Sequence, residues 1–406
     1  MKRFTVTSFI VALGLVAVLL APSLQGSTPP VVAQGDGEGA PDLSQLRVNT
    51  GGWATDFSKV DPDVDLTQFL GGGPGKDGIP AINDPVFESI ESAREWIDGQ
   101  APVIALELNG EAKAYPMAVM TWHEIANDTI GGEPVVVTFC PLCNTALVFK
   151  ATVDGALSDF GTSGNLYFSN LVMYDRQTES WWQQATGQAV IGEKVGTQLE
   201  FLPAQIVSLD QFATDHPEGT VLSRDTGFSR EYGRNPYPGY DRADESPFLF
   251  SGTADGRIAP KERVATTGTG DQAIAFAYPE LSGVGVATAE IDGEPIVVFW
   301  APGTRSALGD RSINDSDDVG TTGIYSPVVN GRELTFVRDG DRSAPITDRE
   351  TGSTWSVTGL ATDGDLAGTQ LERLVSADHL WFSWAAFNPD TRIWEPPLAD
   401  GEEDLG

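Results

Sequence analysis

The chain of 406 residues holds only two cysteines, three histidines and seven lysines. Two cysteines exclude a disulfide-rich scaffold. The few lysines, with no basic stripe, exclude nucleic acid as a partner, because neutralising phosphates takes clustered Lys and Arg. The formal charge of −33 and pI near 4.2 speak to solubility rather than to fold. Long apolar runs are absent too, with one exception behind Lys2-Arg3: residues 9–21, shorter than a comfortable membrane span. That run is expected to belong to a signal peptide, residues 1–33, cleaved after Ala33, or else to remain as an uncleaved N-terminal membrane anchor. Either way the expected location is extracytoplasmic: secreted, periplasmic or at the cell surface.

What the chain does contain is a duplication in which one copy alone keeps its cysteines. Gly132-Glu-Pro-Val-Val-Val-Thr-Phe-Cys140-Pro-Leu-Cys143-Asn-Thr-Ala-Leu147 returns as Gly293-Glu-Pro-Ile-Val-Val-Phe-Trp-Ala301-Pro-Gly-Thr304-Arg-Ser-Ala-Leu308, at an offset of 161. Asp175-Arg-Gln-Thr178-Glu-Ser180-Trp-Trp182 returns as Asp348-Arg-Glu-Thr351-Gly-Ser353-Thr-Trp355, and Thr197-Gln-Leu-Glu200 as Thr369-Gln-Leu-Glu372. Ala114-Tyr115-Pro116 also matches Ala277-Tyr278-Pro279. The preserved order indicates one unit of roughly 150 residues used twice. Shared residues are expected to be framework. Cys140, Cys143, His123 and Glu124, present in the first copy only, are where chemistry is expected.

The expected organisation is a signal at 1–33 and an acidic, Gly/Pro-rich linker and pre-domain segment at 34–80. The first repeat follows at 81–245 and a degenerate second repeat at 246–406. In the pre-domain segment, Gly71-Gly-Gly-Pro-Gly-Lys76 lacks the spacing of a phosphate-binding loop and reads as a flexible loop. Most of the rest shows short β-branched runs between Asn-Gly and Asp-Gly turns, such as 103–108, 112–115, 134–139 and 296–300. Helices are expected at 87–98, 208–215 and 377–387. The fold class that follows is mainly β, an α+β arrangement with few short helices, built as two tandem degenerate repeats of mixed and antiparallel strands.

Residues 146–153 after the Cys-x-x-Cys read as a strand. A thioredoxin site needs a helix there, whose N-terminal dipole lowers the thiol pKa from about 8.5 toward 7, so a thioredoxin fold is excluded. A disulfide closing so short a loop contributes about 2 kcal/mol against about 4.7 for a 100-residue loop. Close spacing therefore suits reversible exchange or the grip of one metal ion better than a structural staple. Cys140, Cys143 and His123, which lies seventeen residues upstream, form a soft donor set for copper(I) or zinc, with Glu124 or Asn144 in support. As a dithiol pair the same residues place Cys140 as nucleophile and His123 as its base. His216 and His379 fall outside this cluster and read as structural or exposed.

A second candidate lies between the copies. Arg224, Arg230 and Arg234 alternate with Tyr232, Tyr237 and Tyr240 on a Gly- and Pro-rich loop, a pattern suited to an anionic ligand or to a cover over a pocket. Pairing of the arginines with local carboxylates is the structural alternative.

Thr121-Trp-His-Glu-Ile125, Phe139-Cys-Pro-Leu-Cys-Asn-Thr145, Leu171-Val-Met-Tyr-Asp-Arg176 and Ser223-Arg-Asp-Thr-Gly227 through Tyr232-Gly-Arg-Asn-Pro-Tyr237 together resemble the exported bacterial and archaeal family known as domain-of-unknown-function family 3179. The resemblance runs from about Val103 to the C-terminus. It implies an extracytoplasmic location and a Cys-Pro-Leu-Cys hallmark, and it implies no activity. The function expected first is an extracytoplasmic thiol-based metal-binding protein, handling one copper(I) or zinc ion through the Cys-x-x-Cys and His123; the alternatives are a dithiol/disulfide oxidoreductase and a non-catalytic anion- or carbohydrate-binding module with a local disulfide. The corresponding partner is a metal ion or a small-molecule ligand.

Overall fold

The tight turns set the register of the hairpins. Asn109-Gly110, Asp154-Gly155, Asp292-Gly293 and Asn330-Gly331 take φ of 51–52° and then 76–81°, the left-handed pair that matches strand twist in two-residue hairpins. In this computed structural model, which describes residues 41–397, they join strands Pro102–Leu108 to Glu111–Pro116 and Val286–Ile291 to Glu294–Ala301. They also join two shorter pairs. The expected signal segment lies outside the described residues. Among those described, no helix is long and apolar enough to cross a membrane.

The two halves share an order of elements. Strands Pro102–Leu108 and Glu111–Pro116 lead through helix Met117–His123 to strands Ile125–Ile130, Glu133–Cys140 and Thr145–Lys150. Likewise Arg263–Thr267 and Ile274–Ala277 lead through helix Tyr278–Val284 to Val286–Ile291, Glu294–Ala301 and Thr321–Tyr325. Val103 faces Pro116 as Val264 faces Ala277, so the offset of 161 already holds in these ladders. The Ala-Tyr-Pro match is therefore out of register: Tyr115 lies in a strand and donates to Asp128 at 2.6 Å, whereas Tyr278 opens a helix.

Buried carboxylates fix the turns of both halves identically. Asp175 accepts from the Thr178 amide at 2.6 Å and from the Trp182 indole at 2.9 Å; Asp348 accepts from the Thr351 amide at 2.6 Å and the Trp355 indole at 3.0 Å. The halves then pack reciprocally. Gln205–Ser208 of the first half lies against Thr321–Tyr325 of the second, and Ser376–Leu380 of the second lies against Thr145–Lys150 of the first. Residues 41–397 thus belong to one compact unit, mainly β, with five short α-helices among the described residues.

Three expectations change. Residues 87–98 form strand Phe87–Ser89 and a single helical turn, Ile90–Ala93, because Phe87 pairs with Leu222 in a sheet. The helix expected at 377–387 begins only at Trp381, since Ser376–Leu380 pairs with Arg263–Thr267. Helices Met117–His123 and Tyr278–Val284 were not anticipated, both being one and a half to two turns of mostly apolar residues. The pre-domain glycine loop is pinned: the Gly72 amide donates to Gly164, and Lys76 pairs with Glu179 at 2.5 Å over the Trp53 ring.

Replacing Asp175 with Ala strands the buried Trp182 indole and the Thr178 donors, and is expected to lower stability by about 3 kcal/mol. Urea unfolding of Asp175→Ala and Asp348→Ala, read together, is expected to give losses of similar size.

Candidate functional site

Strands Glu133–Cys140 and Thr145–Lys150 are joined by one 3₁₀ turn, Pro141–Cys143, closed by Asn144 at φ 51°. Proline fixes φ at the turn's first position, and asparagine tolerates the left-handed conformation at its end. Cys140 faces Thr145 across the hairpin. Because the chain resumes as a strand, no α-helix N-terminus stands behind the thiols to lower their pKa.

Both cysteines are free and buried. Their sulfurs converge on one acceptor, the Ser169 carbonyl, at 3.7 Å from Cys140 and 3.4 Å from Cys143. Burial pushes the Cys140 thiol well above its ordinary value, with the adjacent Cys143 and Glu124 acting in the same direction. Ser169 sits in a turn with Phe168, at φ of 67° and 50°. A buried amide network holds that turn: Asn170 donates to Gln184 at 2.9 Å, Gln183 donates to Asn170 at 2.8 Å, and Gln184 donates to Thr138 at 2.9 Å, two residues before Cys140. Sequence reasoning missed these three amides. Their signal was two adjacent glutamines directly after a pair of tryptophans.

Glu124 is the C-cap of helix Met117–His123, at φ 58° and ψ −28°. The corresponding C-cap of helix Tyr278–Val284 is Gly285, at φ 74° and ψ −26°. Both caps bond back into their helices, Glu124 to Met120 at 2.8 Å and Gly285 to Leu281 at 2.7 Å. A side chain in this conformation costs about 1–2 kcal/mol relative to glycine. The first half accepts that cost at a residue whose carboxyl is buried, 8 % exposed, and whose main-chain carbonyl accepts from the amide of Phe139, the neighbour of Cys140, at 2.7 Å. Burial raises the pKa of the Glu124 carboxyl to about 8.

His123 takes a different position from the one expected of a third ligand. Its Nδ1 lies 2.7 Å from the Pro80 carbonyl and its Nε2 2.6 Å from the Tyr232 hydroxyl. A carbonyl only accepts, so Nδ1 carries the proton and Nε2 accepts from Tyr232. Burial lowers its pKa, opposed by the Pro80 bond, and the imidazole is held neutral with both nitrogens engaged. Among the described residues, no group of three or more His, Cys, Asp and Glu side chains is placed to hold a metal ion. Of the expected donor set two sulfurs remain together, soft ligands of the kind copper(I) takes, and a four-ligand zinc site lacks its other donors.

The arginine- and tyrosine-rich loop is a cover. Tyr237 and Tyr240 pack on the apolar cluster that contains Cys140 and Cys143. Burial raises both phenol pKa values, Tyr237 being further raised by Glu124 and Tyr240 by Cys143. Tyr232 latches one end of the cover to His123. Its far end is tied to the thiol turn, where Ser169 Oγ donates to the Phe248 carbonyl at 2.7 Å. Between them, the Asn235 amide donates to Arg311 at 2.8 Å and the Tyr240 amide to Leu308 at 3.2 Å.

Those last contacts come from the second half, where the ladder opposes Ala301 to Thr321. A long excursion there replaces the four-residue turn between Cys140 and Thr145. Thr304 is thus not the structural counterpart of Cys143, although the sequences align through it. The arginines do not converge on one point: Arg224 stacks over Trp96 at 4.9 Å, Arg230 donates to the Ser229 carbonyl, and Arg234 pairs with Glu231. His216 lies 3.9 Å from Glu107. His379 is buried behind the hairpin, its Nδ1 2.7 Å from Thr145 Oγ1, and burial lowers its pKa to about 3.

A family model described as protein of unknown function (DUF3179) matches residues 76–391. No curated protein and no solved structure matches the chain.

Glu124 stays protonated in the folded chain between its ordinary pKa of 4.5 and about 8, while the unfolded chain releases that proton. Its contribution to stability therefore falls as pH rises through this window. Glu124→Gln removes the titration and is expected to gain on the wild type progressively from pH 5 to pH 8, by roughly 2–4 kcal/mol. Urea midpoints at the two pH values check this; parallel curves for the two proteins would refute a raised pKa.

Proposed function

The chain belongs to the DUF3179 family of proteins of unknown function, and for it we propose dithiol–disulfide exchange through Cys140 and Cys143, carried out in an extracytoplasmic setting. The observation that carries this reading is the placing of Glu124: a buried carboxyl on a left-handed residue where the second half has Gly285, its main-chain carbonyl bonded to Phe139, the neighbour of Cys140, with a pKa that burial raises to about 8. A base poised near the operating pH is what a thiol with a raised pKa needs in order to react. His123, latched between Pro80 and Tyr232, is not available for that task.

In the proposed reaction the ionised form of Glu124, whose share grows as pH rises toward about 8, takes the proton of Cys140, and the thiolate attacks one sulfur of a substrate disulfide. That S–S bond breaks, a mixed disulfide forms, and the departing thiolate is protonated. Cys143 then loses its proton and attacks the Cys140 sulfur, closing the Cys140–Cys143 disulfide and releasing the second substrate thiol. Two electrons pass from the dithiol to the substrate, and the reverse sequence oxidises a substrate dithiol. Tyr237 and Tyr240 must move aside for the substrate to enter, and the Tyr232–His123 bond is the latch.

A second reading, binding of one copper(I) ion, is favoured by the convergence of both sulfurs on a single point. Here Cys140 and Cys143 would be the only ligands, and the ion's charge would offset the cost of burying two thiolates.

Equilibration of the protein in thiol/disulfide buffers, followed by mass spectrometry, is expected to show one reversible intramolecular disulfide, absent in Cys140→Ser and Cys143→Ser. Glu124→Gln is expected to slow reduction of a small aromatic disulfide at pH 7 by about tenfold or more. His123→Ala, by releasing the latch, is expected to speed it. Failure to form the disulfide, with one-to-one copper(I) binding lost in Cys140→Ser and kept in His123→Ala, would overturn exchange in favour of the copper reading.

A further inference from the structure

The two halves differ at one edge as well as at the thiols. In the first half, residues 79–89 run along the outside of two sheets. Ile82 extends the edge strand Ile125–Ile130: its amide donates to Ile125 at 2.9 Å, and its carbonyl accepts from Asn127 at 2.8 Å. A few residues on, Phe87–Ser89 pairs antiparallel with Thr220–Leu222, and that strand in turn runs parallel to Glu111–Pro116. Ile82 is 1 % exposed, a core residue of the first half.

Among the described residues the second half has the same two edges without the segment that covers them. Val286–Ile291 is the outermost strand of its sheet, and Arg392–Ile393 is outermost in the other. Arg392–Ile393 runs parallel to Ile274–Ala277 as Thr220–Leu222 does to Glu111–Pro116. Between the two edges lies a cleft of about 610 Å³, bordered by Thr288, Glu290, Phe336, Arg392 and Trp394. The ladder register sends the Val286 carbonyl and the Thr288 amide outward, as it does Ile125 and Asn127. Trp394 and Arg392 already donate to the Thr288 and Glu290 carbonyls at 3.1 and 2.9 Å. The Val286 carbonyl and the Thr288 amide, counterparts of the groups that hold Ile82, have no partner among the described residues.

We infer that this cleft, with the adjoining edge at Val286, is a docking site for an extended segment of another protein, one with the pattern of residues 79–89: a short apolar stretch that pairs with the Val286 carbonyl and the Thr288 amide, a proline bend, and an aromatic residue that pairs beside Trp394. Main-chain bonds to an open edge supply affinity in such complexes and side-chain pockets supply selectivity. A second copy of this chain is the poorer donor, because giving up its own residues 79–89 would strip Ile82 from its core. The inference stands apart from the thiol chemistry.

The test is binding of a fluorescein-labelled peptide, Ile-Pro-Ala-Ile-Asn-Asp-Pro-Val-Phe-Glu-Ser, to the full chain by fluorescence anisotropy. Saturable binding is expected, equal in Cys140→Ser, and weakened at least about tenfold by Trp394→Ala or by N-methylation at the position of Ile82, which removes the donor to Val286. The peptide modification cannot disturb the fold of the protein. Equal binding of a scrambled peptide, or no binding below about 1 mM, would overturn the inference. So would a chain that sediments as a dimer and excludes the peptide, the result expected if a second copy fills the cleft.

Discussion

Reciprocal packing of strands between the halves is the constraint on which the rest of the structure depends. Ser376–Leu380 lies behind the thiol hairpin, and Gln205–Ser208 lies behind its counterpart strand Thr321–Tyr325. The Gln205 amide donates across this joint to Thr322 at 2.6 Å, and His379 meets Thr145 at 2.7 Å. Leu380 and Phe382 of the second half share one apolar cluster with Cys140 and Cys143 of the first. The thiols are thus buried in a cluster built mostly from the first half and completed by Leu380 and Phe382 of the second.

Burial governs the chemistry. In a low-dielectric interior an unpaired charge is costly, so ionisable groups there hold their neutral forms. The thiol of Cys140, the carboxyl of Glu124 and the phenols of Tyr237 and Tyr240 are all shifted toward the protonated state. His379 is shifted toward the neutral one. Moving a proton within such a cluster changes where the charge lies and leaves its amount unaltered. The second half, with Ala301, Gly285 and Val284 in place of Cys140, Glu124 and His123, keeps the scaffold without the ionisable groups. Its long excursion after Ala301 instead holds down the tyrosine cover.

Much of the strand framework was legible because its determinants are local. Asn-Gly and Asp-Gly turns demand positive φ, and β-branched runs between them have few alternatives to pairing. The helix at Leu209–Asp215 was legible for the same reason: Ser208 and Gln211 complete a capping box at its start. Residues 87–98 misled because Phe87 is claimed by a strand distant in sequence, a contact that outweighs local propensity. The Cys-x-x-Cys and Glu124 could be singled out by comparing the copies. The role of His123 could not, since the partner of its Nε2, Tyr232, lies 109 residues away.

The sequence by itself determined the mainly β character, the family, and the presence of a Cys-x-x-Cys, because these follow from short motifs and from turn residues whose conformations are intrinsic. Tertiary structure alone decided that both sulfurs meet at Ser169, that the Glu124 carboxyl is buried while His123 is held by Pro80 and Tyr232, and that the tyrosine loop closes over the top. These depend on contacts between segments far apart in the chain, where burial and register, rather than residue type, fix which groups meet and in what protonation state.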